Sequence, residues 1–457
     1  MPFNSYLFLL VFLPIVWVGL WRLQNTRWAK WWLLGADIVF LLCLDYRYVP
    51  LLLAVVVATW MISKTMMQRQ PDNRLWCFAG ILLLVANFAA FKYLSLANLA
   101  APVAEDRATV AILPLGISFI TFNLIGLLVD IYRGRVTRPL AALECLSFAG
   151  CFAYVMAGPL VRLHEVRSAL KGEGPTRGPQ IVRGLFLLSV GLAKKVLLAD
   201  EIGRRVDHLL TFTDDRGLVG AWLVMTAFAA QIYFDFSGYS DMAVGVGSLL
   251  GFDLPQNFAS PYRATNPPDF WRRWHMSLTA WVRDYVYLSL GLGRSKVRAV
   301  FNTFVAMLMV GLWHGTTWTF ALWGLYHASL LAGYHVLQMI HGVRRIRVPV
   351  LLARIGMFAS VTLGWALFRA HSLAASGSML AALIGLQGRG SLAVALNQAG
   401  RSLPLIVAFA LVLTQLVPEP YEVHVRPAPW AAVALGVLFA ISFASMAGSN
   451  PFLYLQF

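Results

Sequence analysis

Charge is scarce in this chain: 13% of its residues are Asp, Glu, Lys or Arg, against about 25% in soluble domains. Acidic residues are the fewest, 21 Asp and Glu against 37 Lys and Arg, for a formal charge of +16. A basic excess suits nucleic acid only where a solvated basic domain carries it. Here the Lys and Arg sit in short loops between apolar runs, so no nucleic-acid partner is expected. Cytoplasmic loops and anionic lipid headgroups account for the excess; a docking surface for an anionic substrate or a phosphate-bearing donor is its other use. Cysteine is sparse as well. Cys43, Cys77, Cys145 and Cys151 lie in or beside apolar runs, with no CxxC spacing and no His cluster. Neither a zinc site nor a disulfide framework follows, and buried structural thiols are expected. The chain has no GxSxG elbow, P-loop or HExxH, which disfavours a self-contained serine hydrolase and an ATP-driven pump. No internal repeat, low-complexity tract or soluble linker interrupts residues 1–457, so a single membrane-embedded domain is expected.

What the chain does have is hydrocarbon. Hydrophobic residues make up 59% and Trp occurs 16 times, with a mean hydropathy of +0.67. That composition predicts an all-α polytopic membrane protein with aromatic interfacial belts. Apolar stretches fall at about 5–22, 31–45, 48–67, 75–97, 108–131, 140–160, 180–199, 217–236, 298–313, 318–341, 350–369, 402–417 and 429–446. A full crossing needs about 20 apolar residues. Several stretches are short or broken by Gly or Pro, so about 11 spans plus re-entrant or interfacial helices are expected. The first stretch has no basic flank and no small-residue cleavage site, and reads as a retained helix.

Loop charge sets the orientation. Arg22, Arg27 and Lys30, then Lys64, Arg69 and Arg74, then Arg133, Arg135 and Arg138 mark the first, third and fifth loops as cytoplasmic. The fourth loop, Glu105-Asp106-Arg107, is acidic on balance, and the N-terminus is expected outside. Arg162, Arg167, Lys171, Arg177 and Arg183 would break the alternation. A re-entrant or interfacial segment near 155–180 repairs it. Residues 253–297, rich in Pro, Arg, Trp and Tyr, suit helices lying at the interface.

An ionisable side chain in hydrocarbon is costly, so membrane histidines are functional candidates. His314 ends an apolar run and is followed by Gly315-Thr316-Thr317 before Trp318. A helix break at that depth must line a cavity or be covered by protein. A neutral imidazole there can act as a general base on a hydroxyl; a structural histidine bonded to a carbonyl is the alternative. His275 lies in Trp271-Arg272-Arg273-Trp274-His275. On a continuous helix, Trp271, Trp274 and His275 share one face. Arg272 and Arg273 with Trp271 and Trp274 would suit the phosphate and pantetheine groups of an acyl donor; interfacial anchoring explains the same Trp and Arg. His327 is a possible cavity-lining partner. Asp235 and Asp241, in the run Tyr233–Asp241, are expected to end a span and to form ion pairs, as is Asp130. Asn302 and Trp318 are candidates for holding a developing oxyanion.

At these residues the chain resembles the membrane-bound O-acyltransferase family, and within it the branch that acetylates exported polysaccharides such as alginate. The resemblance runs nearly end to end. It rests on Pro114-Leu115-Gly116-Ile117-Ser118-Phe119 leading to Asp130-Ile131-Tyr132-Arg133-Gly134, on Ala157–Arg162 and Gly191–Lys195, and on Tyr233–Asp241. Its strongest parts are Phe270–Thr279 with Trp281–Tyr285, and Gly311-Leu312-Trp313-His314-Gly315, and the tail Pro451–Phe457 is similar too. Asn123 stands where many relatives carry Gln. The resemblance implies a bundle of about eleven spans around a central pore, with His314 as the catalytic histidine and His275 as the second functional one. It implies transfer of an acetyl group from a cytoplasmic donor, acetyl-CoA, across the bacterial inner membrane. An SGNH-type periplasmic partner would complete transfer to a polysaccharide such as alginate or cellulose. No metal is implied. D-alanyl or other acyl transfer is the alternative within the family. A lipid-linked sugar transporter or a scaffold subunit of an export complex are the alternatives outside it.

Overall fold

A computed structural model describes residues 1–69, 72–100, 116–171, 178–211, 217–291, 295–341, 348–424, 428–447 and 452–453. The loop Glu105-Asp106-Arg107, Pro114, Leu115, Arg177, Pro451 and residues 454–457 lie outside the described residues.

The described residues form helices and no strand. In chain order these are α1 (Leu13–Leu23), α2 (Ala29–Asp45), α3 (Val49–Gln68), α4 (Arg74–Ala100), α5 (Ile117–Tyr132), α6 (Ala142–Gly150), α7 (Leu163–Leu170), α8 (Gly178–Ala193), α9 (Asp200–Thr211) and α10 (Gly217–Leu249). They continue with α11 (Pro267–Trp271), α12 (Met276–Val282), α13 (Lys296–His314), α14 (Trp318–His341), α15 (Val350–Arg369), α16 (Leu373–Leu383), α17 (Leu392–Ala399), α18 (Leu403–Leu416) and α19 (Pro429–Ala444). Local sequence explains the starts. Prolines stand in the first turn of α1, α3, α11, α18 and α19, where the missing N–H has no partner to lose. Asn266, Ser295 and Ser372 cap α11, α13 and α16 through side-chain oxygens.

Six of these helices are long and apolar enough to cross a membrane: Val49–Gln68, Arg74–Lys92, Gly217–Leu249, Val297–His314, Val350–Arg369 and Leu403–Glu422. Shorter apolar helices accompany them at Phe8–Leu23, Ile117–Tyr132, Leu373–Leu383 and Pro429–Ala444. The protein is a multi-pass, all-α membrane protein. Large apolar side chains stay exposed on many of these helices, among them Leu10, Phe78, Leu351, Leu405 and Trp430; hydrocarbon, unlike water, solvates such faces.

Contacts divide the chain into two compact units. The first holds Met1–Leu188 and Met242–Pro255. Its core includes a cluster of Phe3, Phe8, Phe12, Phe40 and Phe152. The stretch expected to span at 140–160 does not: α6 ends at Gly150, and residues 151–161 continue as a buried irregular segment. Buried backbone needs partners. Asp37, itself buried, accepts from Phe152 N at 3.0 Å, and Tyr154 donates to the Phe148 carbonyl at 2.9 Å. The short amphipathic α7 follows. Neither residues 151–161 nor the eight-residue α7 is long enough to cross a membrane as a helix. Asp130 pairs with Arg135 at 3.2 Å, as its place at a helix end suggested. Cys77, Cys145 and Cys151 are buried thiols, but Cys43 is exposed on the outer side of α2, contrary to expectation.

The second unit holds Ser189–Asp241 and Gln256–Phe457. The helix α10, whose residues Gly217–Asp241 belong to this unit, runs on for 33 residues in all instead of ending near 236. Asp235 and Asp241 are thus inside a helix, not at its end. The ion pairing expected of them is present. Lys195 lies 2.6 Å from both Asp200 and Asp235, and Lys194 lies 2.8 Å from Asp241 and 3.0 Å from Glu419. Glu419 also accepts from Tyr233 Oη and, at 2.8 Å, from Ser260 N. With partners on every side, the helix carries these charges through an apolar bundle.

Candidate active site

His314 is the last residue of α13, and its position follows from a helical hairpin. A Cβ on Gly311 would lie 2.3 Å from the Phe320 carbonyl oxygen, and one on Gly324 would lie 2.4 Å from that of Met307. Only glycine lets the α13 and α14 backbones approach this closely. Gly315 is extended and breaks the helix, as its spacing predicted. Beyond the break, Thr317 and Thr319 share a 2.7 Å hydrogen bond, and Thr319 donates to the Ala370 carbonyl at 3.3 Å. These bonds tie the interruption to the end of α15. The buried His314 ring lies 4.6 Å from Trp313, 5.2 Å from Trp323 and 5.2 Å from Phe368, centroid to centroid.

His275 is held differently from expectation. Trp271 to His275 is not one helical face, because α11 stops at Trp271 and α12 starts at Met276. Between them His275 adopts φ 44°, ψ 55°, a left-handed conformation costly for a residue with a Cβ. Asn257 holds it there. The Asn257 carbonyl accepts from Met276 N at 2.9 Å, and its side-chain Oδ1 accepts from Ser277 N at 3.2 Å and Ser277 Oγ at 2.9 Å. The same Oδ1 lies 3.1 Å from His275 Nδ1.

That contact assigns the tautomer. A backbone N–H can only donate, so the atom facing Ser277 N is the amide oxygen, and an amide oxygen can only accept. His275 Nδ1 therefore carries the proton, and Nε2 carries the lone pair. Nε2 is buried and meets no hydrogen-bonding group among the described residues. Burial disfavours the imidazolium and lowers the His275 pKa to about 3. Its ring meets Phe236 edge-on at 4.7 Å and Trp313 at 6.1 Å. Trp313 thus neighbours both His275 and His314.

His327 joins the same cluster. Its ring lies 4.9 Å from Trp323, which also neighbours His314, and 5.2 Å from Trp271. Both of its ring nitrogens are buried without a hydrogen-bond partner among the described residues, as are Trp271 Nε1 and Trp323 Nε1. A Cβ on Gly364 would lie 2.9 Å from His327 Nε2, so the glycine leaves that nitrogen its space. Buried polar atoms are almost always satisfied. Several unsatisfied ones in one aromatic-walled region mark a place for a polar guest.

The remaining expected site residues divide. Trp271 belongs to this cluster. Trp274 is packed between Phe258, Phe270 and Trp365 at 5.1, 5.7 and 5.0 Å. Arg273 turns to Asp269 at 2.9 Å and to the Ala259 carbonyl at 3.0 Å, and Arg272 is 69% exposed, 3.7 Å from Asp269. Asn302 donates to the Gly291 carbonyl at 3.1 Å, and Trp318 is 75% exposed. Among the described residues no group of His, Cys, Asp or Glu is arranged to hold a metal.

A multi-pass helical protein with buried histidines at breaks in its helices, set among aromatic rings, has the character of an intramembrane transferase. Comparison with known proteins gives the class its name. Residues 134–359 match the MBOAT, membrane-bound O-acyltransferase family. The chain is 33% identical over 424 residues to the "Peptidoglycan O-acetyltransferase" of Helicobacter pylori, covering 84% of this chain and 80% of that protein. It is 31% identical to the "Probable alginate O-acetylase AlgI" of Pseudomonas fluorescens, covering 100% of both. It is also 26% identical to the "Teichoic acid D-alanyltransferase" of Bacillus subtilis, over 74% of this chain and 89% of that one. The chain belongs to the membrane-bound O-acyltransferase family and is an acyltransferase.

Proposed function

We propose that this protein passes acetyl groups from acetyl-CoA across a bacterial inner membrane for O-acetylation of an exported polysaccharide. Residues 1–457 act as one domain with the N-terminus in the periplasm, and an SGNH-type periplasmic partner completes transfer to the polymer. The relatives at 31–34% identity carry acetylase or acetyltransferase names, against 26% for the D-alanyltransferase of Bacillus subtilis, which favours acetyl over D-alanyl.

The observation that carries the reading is the fixed tautomer of His275, with its Nε2 lone pair buried and unpartnered beside Trp313, the neighbour of His314. In the proposed chemistry an imidazole nitrogen takes the proton of an acceptor hydroxyl as its oxygen attacks the thioester carbonyl. The C–S bond then breaks, and the proton passes to the departing thiolate. His314, at the helix break, is the base, and His275 holds the acyl carbonyl or the acceptor in place. Arg272, exposed, and Arg273 meet the phosphates of the donor as it approaches.

The test uses membrane vesicles containing the protein and its partner, supplied with acetyl-CoA radiolabelled in the acetyl group. Label in the polysaccharide fraction is expected. Label from D-alanyl donors but none from acetyl-CoA would overturn the choice of acyl group.

A further inference from the structure

The second unit contains an apolar groove of about 670 Å³ away from the histidines. Val190 and Leu197, Phe234 of α10, and Leu405, Phe409 and Leu413 of α18 form its walls, which are almost wholly carbon. Leu405 to Leu413 cover about 12 Å of helix, enough for the upper part of one acyl chain. At the far end Lys194, Tyr233 and Glu419 close the groove and satisfy one another.

The mouth is polar and basic. Glu201 lines it and pairs with Arg204 and Arg205. Arg205 also donates to Ser402 Oγ at 3.0 Å, next to the start of α18, and the exposed Arg401 precedes Ser402. The helix carrying the first two arginines is amphipathic: Ile202, Val206 and Leu209 of α9 are buried against the protein on one face, and the charged side chains are left to the other. The other acids of α9, Asp200 and Asp207, are taken by Lys195 and Arg369. Arg204, Arg205 and the neighbouring Arg401 outnumber Glu201, which leaves the mouth net positive. A basic mouth at the interface above a hydrocarbon slot is the arrangement that holds an acidic lipid.

We propose that this groove binds one anionic glycerophospholipid, its phosphate on Arg204, Arg205 and Arg401 and one acyl chain between the residue 190–198 segment and α18. The site is independent of the acyl-transfer reading. The test is native mass spectrometry of delipidated protein titrated with phosphatidylglycerol or phosphatidylcholine. A single adduct selective for phosphatidylglycerol is expected. R204Q/R205Q should weaken it about thirtyfold and R401Q about fivefold. Because Arg205 also ties α9 to α18, Ile406→Trp serves as a second variant: it fills the groove, keeps every arginine, and should lose the adduct without lowering the melting temperature. Equal binding of phosphatidylcholine, or wild-type binding by I406W and R401Q, would overturn the proposal.

Discussion

At the scale of single residues, the informative one is Asn257. It fixes which nitrogen of His275 bears the proton and holds the histidine in a left-handed turn. Asn257→Ala is expected to lower acetyl transfer about 10- to 100-fold, the cost of losing one buried oriented hydrogen bond, with membrane levels maintained; unchanged transfer would remove the role given to Asn257. His275 also sets a pH dependence. Its folded pKa is lowered to about 3 from the usual 6.5. Below about pH 6.5 the unfolded chain therefore binds a proton that the folded one does not, so stability present above that pH is lost as pH falls, by about 1.4 kcal/mol per unit. Thermal melts of the purified protein between pH 7 and pH 5 check this: the melting temperature should fall with pH, and less steeply in His275→Asn. His314 was legible in the sequence because a titratable group ending an apolar run stands out, and His275 because it sits among Trp and Arg in Trp271–His275. Asn257 was not, since it lies in irregular chain 18 residues before its partner, where no periodicity connects the two.

At the scale of elements, the α13–α14 hairpin decides where His314 sits. Gly324→Ala would bring a Cβ to 2.4 Å from the Met307 carbonyl. The helices must then separate, at about 1–3 kcal/mol, and His314 must move with them. Lower melting temperature together with reduced transfer is the expected outcome, and a variant with full stability would show the close approach to be dispensable. The sequence announced this break, because Gly315-Thr316-Thr317 interrupts an apolar run. It gave no warning of the break at His275. Trp271–Thr279 contains neither Gly nor Pro; the interruption comes from Asn257, which supplies the hydrogen bonds that a helix would otherwise make. For the same kind of reason residues 140–160 look like a span on hydropathy, yet tertiary partners such as Asp37 satisfy the irregular chain after Gly150.

At the scale of the whole molecule, the all-α multi-pass class was readable from composition alone. The buried charges were only half readable. Asp235 and Asp241 were visible as candidates for ion pairs, whereas Glu419, more than 170 residues away in sequence, was not. Removing one member of such a group leaves an uncompensated charge, at a cost of about 3–5 kcal/mol. Asp235→Leu should therefore strip Lys195 of a 2.6 Å partner and reduce the amount of folded protein in the membrane, read by immunoblot and size-exclusion profile. A monodisperse variant at wild-type level would show that Asp200 alone suffices for Lys195.

In the proposed chemistry His314 lies in the path of acetyl transfer. The most direct test of this is polymer-bound acetate in native host cells carrying wild type or His314→Ala at matched protein levels. The expected result is loss of acetate with normal polymer yield. Unchanged acetate would contradict the catalytic assignment, and loss of the polymer itself would point to export instead.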